Sequence, residues 1–261
     1  MTVRSGLFST LPVVAIFLIS GCTSDPSPAP DPASDRTDLR ASLASVMAGN
    51  RVLPYSATWE VVAEGARLDA TSIRLFYTRR AVATSARASG ADQGESDHWN
   101  REHVWPQSYG IGDNAARTDV HNLVPVDATV NSARGNKPFD EAIVVHPECT
   151  VCRVSPEAWE PSPEVQGDVA RIAFYMDVRY EGEDGVPDLV LTDDLDPARA
   201  RFGHLSTLAR WHCDDPVSEE EIRRHEVAAN AQGNRNVFVD SPHLAESLFG
   251  FSCVRPDGID R

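Results

Sequence analysis

The sequence predicts an α+β fold, a mostly helical domain around a central ββα unit with short strands. Three observations predict it. Helical periodicity or helix caps recur between residues 37 and 250, and short alternating runs fall near the centre. No shift in composition past residue 40 marks a second domain. A chain of 261 residues can bury one sizeable core.

The N-terminus reads as an export signal. Arg4 supplies the positive end, LPVVAIFLI (11–19) an apolar run too short for a comfortable membrane span, and ISGC (19–22) a cleavage site. A Cys directly after Ser-Gly resembles the bacterial lipobox, so Cys22 is expected to carry lipid and anchor the mature chain at a membrane. Residues 1–21 are then a signal peptide and residues 22–36, rich in Pro, Ser and Asp, a disordered tether to one folded domain over 37–261.

Within that domain, TDLRASLASVMAGN (37–50) predicts a helix capped by Thr37 and stopped at Gly49-Asn50. TSIRLFYT (71–78) is strand-like, and 84–97 is a polar, Gly-containing loop. DVHNLV (119–124) alternates like a strand that Pro125 ends, and Asp127 can cap a short helix that Gly135 terminates. GDVARIAFYMDVRY (167–180) puts Val169, Ile172, Ala173 and Met176 on one buried stripe. SEEEIRRHEVAANAQG (218–233) opens with a Ser218–Glu221 capping box and stops at Gly233. SPHLAESLFG (241–250) has Ser at the cap, Pro in the first turn and Gly past the end.

Beyond Cys22 there are Cys149, Cys152, Cys213 and Cys253. Outside the cytoplasm an even number reads first as disulfides, their pairing open. The alternative is a four-Cys zinc site joining CTVC (149–152) to Cys213 and Cys253, which the wide spacing of the second pair weakens. With 39 acidic against 24 basic residues, the formal net charge is −15. That argues against a broad basic surface coating DNA, but not against a local basic groove or a bridging cation.

WNREHVWPQSYG (99–110) sets the carboxylate of Glu102 beside the imidazole of His103, among Trp99, Trp105 and Pro106. Downstream, RTDVHNLVPVDATVNSARGNKPF (117–139) supplies a second strand and then a helix on which Asn131 and Arg134 share a face. Strand, loop, strand and short helix make a ββα unit. Neighbours on a regular strand point to opposite faces, so Glu102 and His103 can serve one site only at a strand end, at a bulge, or through a bridging water.

REHVWPQS, DVHNLVP, VNSARGNKPF and QGNRNVFVDSP (232–242), in that order, resemble the bacterial endonuclease I family. These are secreted or periplasmic nucleases of the ββα-metal, or His-Me finger, type. The resemblance implies that His103 is a general base and that Glu102 and Asn131 hold one Mg²⁺, with Mn²⁺ or Ca²⁺ as substitutes. His225, where Asn is expected, and the CTVC segment depart from the family pattern away from this site. Arg134 and Arg117 are candidates to clamp a phosphate, each equally readable as a solvated charge. Asp119, His121 and Asn136 are expected to support the site. Trp99 and Trp105 could stack on bases, though core packing is the commoner use. The arginine pairs at 79–80 and 223–224 could add basic patches.

The chemistry is coherent on its own terms. Phosphodiester hydrolysis needs a deprotonated water and charge neutralisation at phosphorus, and His can take a proton at neutral pH. One carboxylate and one amide oxygen leave a hard cation open to water and phosphate. The expectation is therefore an exported, lipid-anchored, monomeric Mg²⁺-dependent endonuclease cutting DNA with little sequence preference and leaving 5′-phosphate ends. The alternatives are a ribonuclease on the same site and a non-catalytic lipoprotein that binds nucleic acid. A pure binder needs none of Glu102, His103 and Asn131, which speaks against the second.

Overall fold

A computed structural model describes residues 32–88 and 97–254. The signal peptide, Cys22, most of the tether and most of the 84–97 loop lie outside them. The first helix, α1 (Pro32–Met47), takes in residues 32–36 that composition assigns to the tether. Pro32 suits a first turn through its fixed φ, and Asp35 favours the helix N-terminus. Thr37 is therefore not the cap but lies inside the helix, its hydroxyl donating to the Ala33 carbonyl at 3.1 Å.

At the centre stands α4 (Gln166–Arg179), where the apolar stripe was expected. It is buried on every side rather than on one, because its charges also find partners. Arg171 forks onto Glu221 at 2.6 and 2.8 Å. Asp168 meets Arg224 at 2.7 Å, and Asp177 takes Arg40 from α1. Glu221 and Arg224 lie on α6 (Glu219–Gln232), so buried ion pairs bind the two helices together. Ser218 caps α6 as expected, accepting from the Glu221 N–H at 3.1 Å. The other half of the capping box is not made, since the Glu221 carboxylate goes to Arg171.

The strands are short. β1 (Ser72–Arg74) pairs antiparallel with β2 (Ala81–Ala83), so only the start of the strand-like run 71–78 is a strand. Phe76 and Tyr77 turn into the core instead. β3 (Trp99–His103) pairs antiparallel with β4 (Leu123–Asp127), opposing Glu102 to Val124 and His103 to Leu123. β4 thus starts later than expected and runs through Pro125. The cause lies in Asp119, whose carboxylate accepts the His121 N–H at 2.9 Å and folds 119–122 into a turn. Pro125 still offers its carbonyl, which accepts from Phe76 N at 2.7 Å. After β4 comes α3 (Ala128–Arg134), stopped by Gly135 at φ 62°. This is the ββα unit. Asp127 precedes the helix but makes no capping bond, being held by Thr78 and Arg80.

Two helices carry no strong sequence signal, α2 (Thr58–Gly65) and α5 (Leu205–Asp214). A small sheet of β5 (Val144–Val145), β6 (Arg153–Val154) and β7 (Trp159–Glu160) holds the CTVC turn, and β8 (Val190–Leu191) pairs parallel with β9 (Arg201–Phe202). α7 (Val237–Asp240) and α8 (His243–Phe249) complete the described chain. All four cysteines form disulfides: Cys149–Cys152 closes within its own turn, and Cys213–Cys253 ties α5 to the segment after α8. The zinc alternative is thereby set aside, because each of the four sulfurs is bonded to another sulfur and none is a thiolate.

Candidate active site

His103 is the last residue of β3, and this resolves the problem of facing. Where the strand ends, Glu102 and His103 both line one open pocket of about 380 Å³, together with Asn131 and Arg134 from α3 and Gln107 from the following turn. That turn closes at Gly110, with φ 93°, where a Cβ would come within 2.8 Å of Ala200 and Pro187. Asn122 fixes its start from below, accepting from Trp105 N at 2.7 Å and donating to Trp105 O at 3.2 Å.

The His103 ring has a defined polarity. Its Nε2 lies 3.0 Å from the Arg117 carbonyl, which can only accept, so Nε2 carries the hydrogen. Nδ1 is then the acceptor, 3.3 Å from the Gln107 amide at the pocket. Burial pushes the imidazole down to about 4; the Arg117 carbonyl opposes this, and the guanidinium charges of Arg117, Arg101 and Arg134 push it further down. The ring is therefore neutral at physiological pH.

Glu102 is buried and accepts at Oε1 from the Tyr77 hydroxyl (2.9 Å), with Arg134 Nη1 at 3.0 Å. Burial raises its pKa, opposed by Arg134 and then by Tyr77. Arg134 is completely buried, neither a solvated charge nor an extended arm. Besides Glu102, its guanidinium donates to the carbonyls of His103 (3.1 Å) and Val104 (2.9 Å), and it lies over Phe139. It pins the end of β3 to α3. Asn131 donates its amide to Asn100 at 2.7 Å, which fixes the side chain at the pocket wall. Asn136 stands at the rim, bonded to Ser108 at 3.2 Å.

The donor set suits a hard divalent cation. Glu102 brings a carboxylate to the pocket, and Asn131, whose amide nitrogen is committed to Asn100, presents its amide oxygen as a second hard ligand. Elsewhere, His225, Glu226 and Asp240 are close enough to share an ion, but Arg235 already bridges both carboxylates at 2.6 Å.

The other expected residues fall as follows. Asp119 and His121 do not line this pocket. Asp119 accepts from the hydroxyls of Tyr175 (2.7 Å) and Tyr180 (2.8 Å) and from the Gln232 amide, while His121 bonds the Asn234 carbonyl at 3.1 Å. They tie the turn before β4 to α4 and the end of α6. Trp99 and Trp105 are fully buried and pack the core. Arg79, Arg80 and Arg224 are spent on Glu164, Glu220, Asp127 and Asp168, so they form no basic patch. Tyr77, Asn100, Arg101 and Tyr55 are functional neighbours that sequence reasoning missed. Asn100 and Arg101 stood inside the quoted motif, whereas nothing local singles out the two tyrosines.

Two strands and a helix that turn a carboxylate, an amide and an imidazole onto one pocket place the chain in the class of ββα nucleases, which hydrolyse phosphodiesters. More narrowly, it belongs to the endonuclease I family, whose model, Endonuclease I, matches residues 36–243. An extracellular ribonuclease of Bacillus amyloliquefaciens is 41% identical over 219 residues, 82% of this chain and 74% of the relative. An extracellular ribonuclease of Bacillus subtilis (strain 168) is 37% identical over 217 residues, 81% of this chain and 74% of the relative.

Proposed function

We propose that this nuclease is an exported endonuclease that cuts RNA, with His103 as general base and Mg²⁺ held by Glu102 and Asn131. The observation that carries the reading is the polarity of His103. Its Nε2–H is committed to a backbone carbonyl, leaving Nδ1 as a proton acceptor beside Glu102. In the reaction, Nδ1 takes a proton from water, the water oxygen bonds to phosphorus, and the bond from phosphorus to the 3′-oxygen breaks. The departing oxygen is reprotonated by solvent, leaving a 5′-phosphate and a 3′-hydroxyl. When bound, the cation supplies positive charge to the scissile phosphate and leaving oxygen.

RNA takes precedence over the DNA expected from sequence because both relatives are named extracellular ribonucleases. The same names support export. Lipidation at Cys22 rests on the ISGC motif alone. Rates on RNA and on single- and double-stranded DNA, each with Mg²⁺ and with EDTA, test the reading. RNA should be cut fastest, only with the cation, to 5′-phosphate ends rather than 2′,3′-cyclic phosphates. His103→Ala should lose about 10²–10⁴-fold in kcat while keeping its fold. Cleavage in EDTA, or a variant that cuts at the wild-type rate, would overturn the mechanism.

A further inference from the structure

Beside His103 lies a group of cations that the chemistry above does not use. The Arg101 guanidinium carbon sits 3.6 Å from the Tyr55 ring centroid and 4.1 Å from that of Trp59. Arg117 lies 4.5 Å from the same Tyr55 ring, which stacks on His103 at 6.0 Å. Further out, Arg87 sits 5.7 Å from Trp59 but is paired with Glu60 at 2.8 Å. Guanidinium and aromatic ring therefore alternate continuously from the pocket outward, through Arg117, Tyr55, Arg101, Trp59 and Arg87.

The electrostatics are unusual for so acidic a chain. Arg40, Arg79, Arg171 and Arg224 each pair with a carboxylate, but among the described residues neither Arg101 nor Arg117 has one within 4.0 Å. Among the described residues Arg101 donates only through Nη1, to Thr58 Oγ1 at 2.7 Å and to the Tyr55 carbonyl. The Arg117 guanidinium makes no hydrogen bond to the described residues and is held only by stacking. Stacked on the ring, Arg117 keeps both Nη groups and Arg101 keeps Nη2 without a hydrogen bond to the described residues, while the Nε of each is buried; such in-plane N–H groups match a phosphate oxygen. Both guanidiniums are half-buried and lack a carboxylate partner among the described residues; Arg101 lines the pocket of His103, and Arg117 lies on Tyr55 beside it.

We infer that Arg101 and Arg117, held on Tyr55, form a subsite for the backbone phosphates of the nucleic-acid strand next to the scissile linkage, with Trp59 backing Arg101 on its outer side. The subsite rests on the nuclease reading and deepens it. It explains how a chain of net charge −15 can hold a polyanion: the positive charge is concentrated in one aromatic-backed track.

The test is equilibrium binding of a short fluorescein-labelled RNA, followed by anisotropy across a KCl titration, with His103→Ala as the non-cleaving parent. Arg117→Gln carries the test because its guanidinium makes no hydrogen bond whose loss could unfold the chain. Arg101→Gln is the second variant, with near-UV circular dichroism as a check on folding. Each should weaken binding roughly ten- to hundred-fold. Each should also lower the slope of log affinity against log salt by about 0.7, the value for one lost single-strand phosphate contact. Exposed Arg223, changed to Gln, should alter neither quantity. Nucleic acid cut by the wild type, with affinity and slope unchanged in Arg117→Gln, would overturn the subsite alone. Affinity lost without a change in slope would also overturn it, as the mark of a structural effect. A wild type that neither cuts nor binds nucleic acid overturns the subsite and the nuclease reading together.

Discussion

At Arg134, a charge that helical spacing places beside Asn131 has turned inward, where it meets Glu102 and two carbonyls at the end of β3. Its removal should therefore show first in stability. Arg134→Met leaves the Glu102 carboxylate buried without its cation, and breaking such a pair from one side costs about 3–5 kcal/mol. Urea titration should detect this loss without substrate present. A variant as stable as the wild type but slow to cut would restore the phosphate-clamp role instead. Tyr77 shows the same inward logic, since its hydroxyl orients Glu102 from 25 residues away.

At the scale of the element, α6 separates a local rule from a tertiary one. The Ser218 cap satisfies one N–H of the first turn, so Ser218→Ala should cost about 1 kcal/mol. Glu221 lies in the same capping motif but is spent on Arg171 in α4. Glu221→Ala should cost more, about 3–5 kcal/mol, because it strands a buried guanidinium. Denaturant midpoints of the two variants decide this, and equal losses would mean that the α4–α6 pair contributes little. β4 carries a related lesson. Pro125 reads locally as a strand end, yet the strand runs through it, because a carbonyl suffices to pair with Phe76.

For the whole molecule, two predictions follow from how distant parts are joined. His103, His212 and His225 are each pushed by burial from 6.5 down to about 4. Between these values the unfolded chain binds protons that the folded chain refuses, so stability is full above 6.5 and falls as pH drops towards 4. Asp177, pushed up to about 6 by burial against the opposing charge of Arg40, and Glu221, raised by burial and the Asp168 charge against Arg171 and Arg224, work the other way and offset part of this fall. Melting temperatures across that window should decline with acid. His225→Asn, which can still meet Asp240, should flatten the decline, and an identical profile in the variant would overturn the assignment. The disulfides should differ as their loops do. Opening Cys213–Cys253, 40 residues apart, should cost about 4 kcal/mol, against about 2 kcal/mol for Cys149–Cys152, three apart. Melting of Cys213→Ser/Cys253→Ser beside Cys149→Ser/Cys152→Ser measures the contrast.

The sequence by itself determined the order strand, loop, strand, short helix and the helices with clear caps or stripes, through rules that act over a few residues: strand alternation, helical spacing, and Gly or Ser at helix ends. The grouping of Glu102, His103 and Asn131 came from the resemblance of whole motifs to the endonuclease I family. Only the tertiary structure decided which cysteines pair and that Arg134 is a pin rather than an arm. It also decided that Asp119 and His121 serve α4 and α6 instead of the pocket, and that Tyr55 gathers Arg101 and Arg117 beside His103. Most of these join side chains far apart in the chain, as when Arg40 meets Asp177 across 137 residues. No local pattern encodes such a meeting, because burial and charge pairing depend on which elements close around one another.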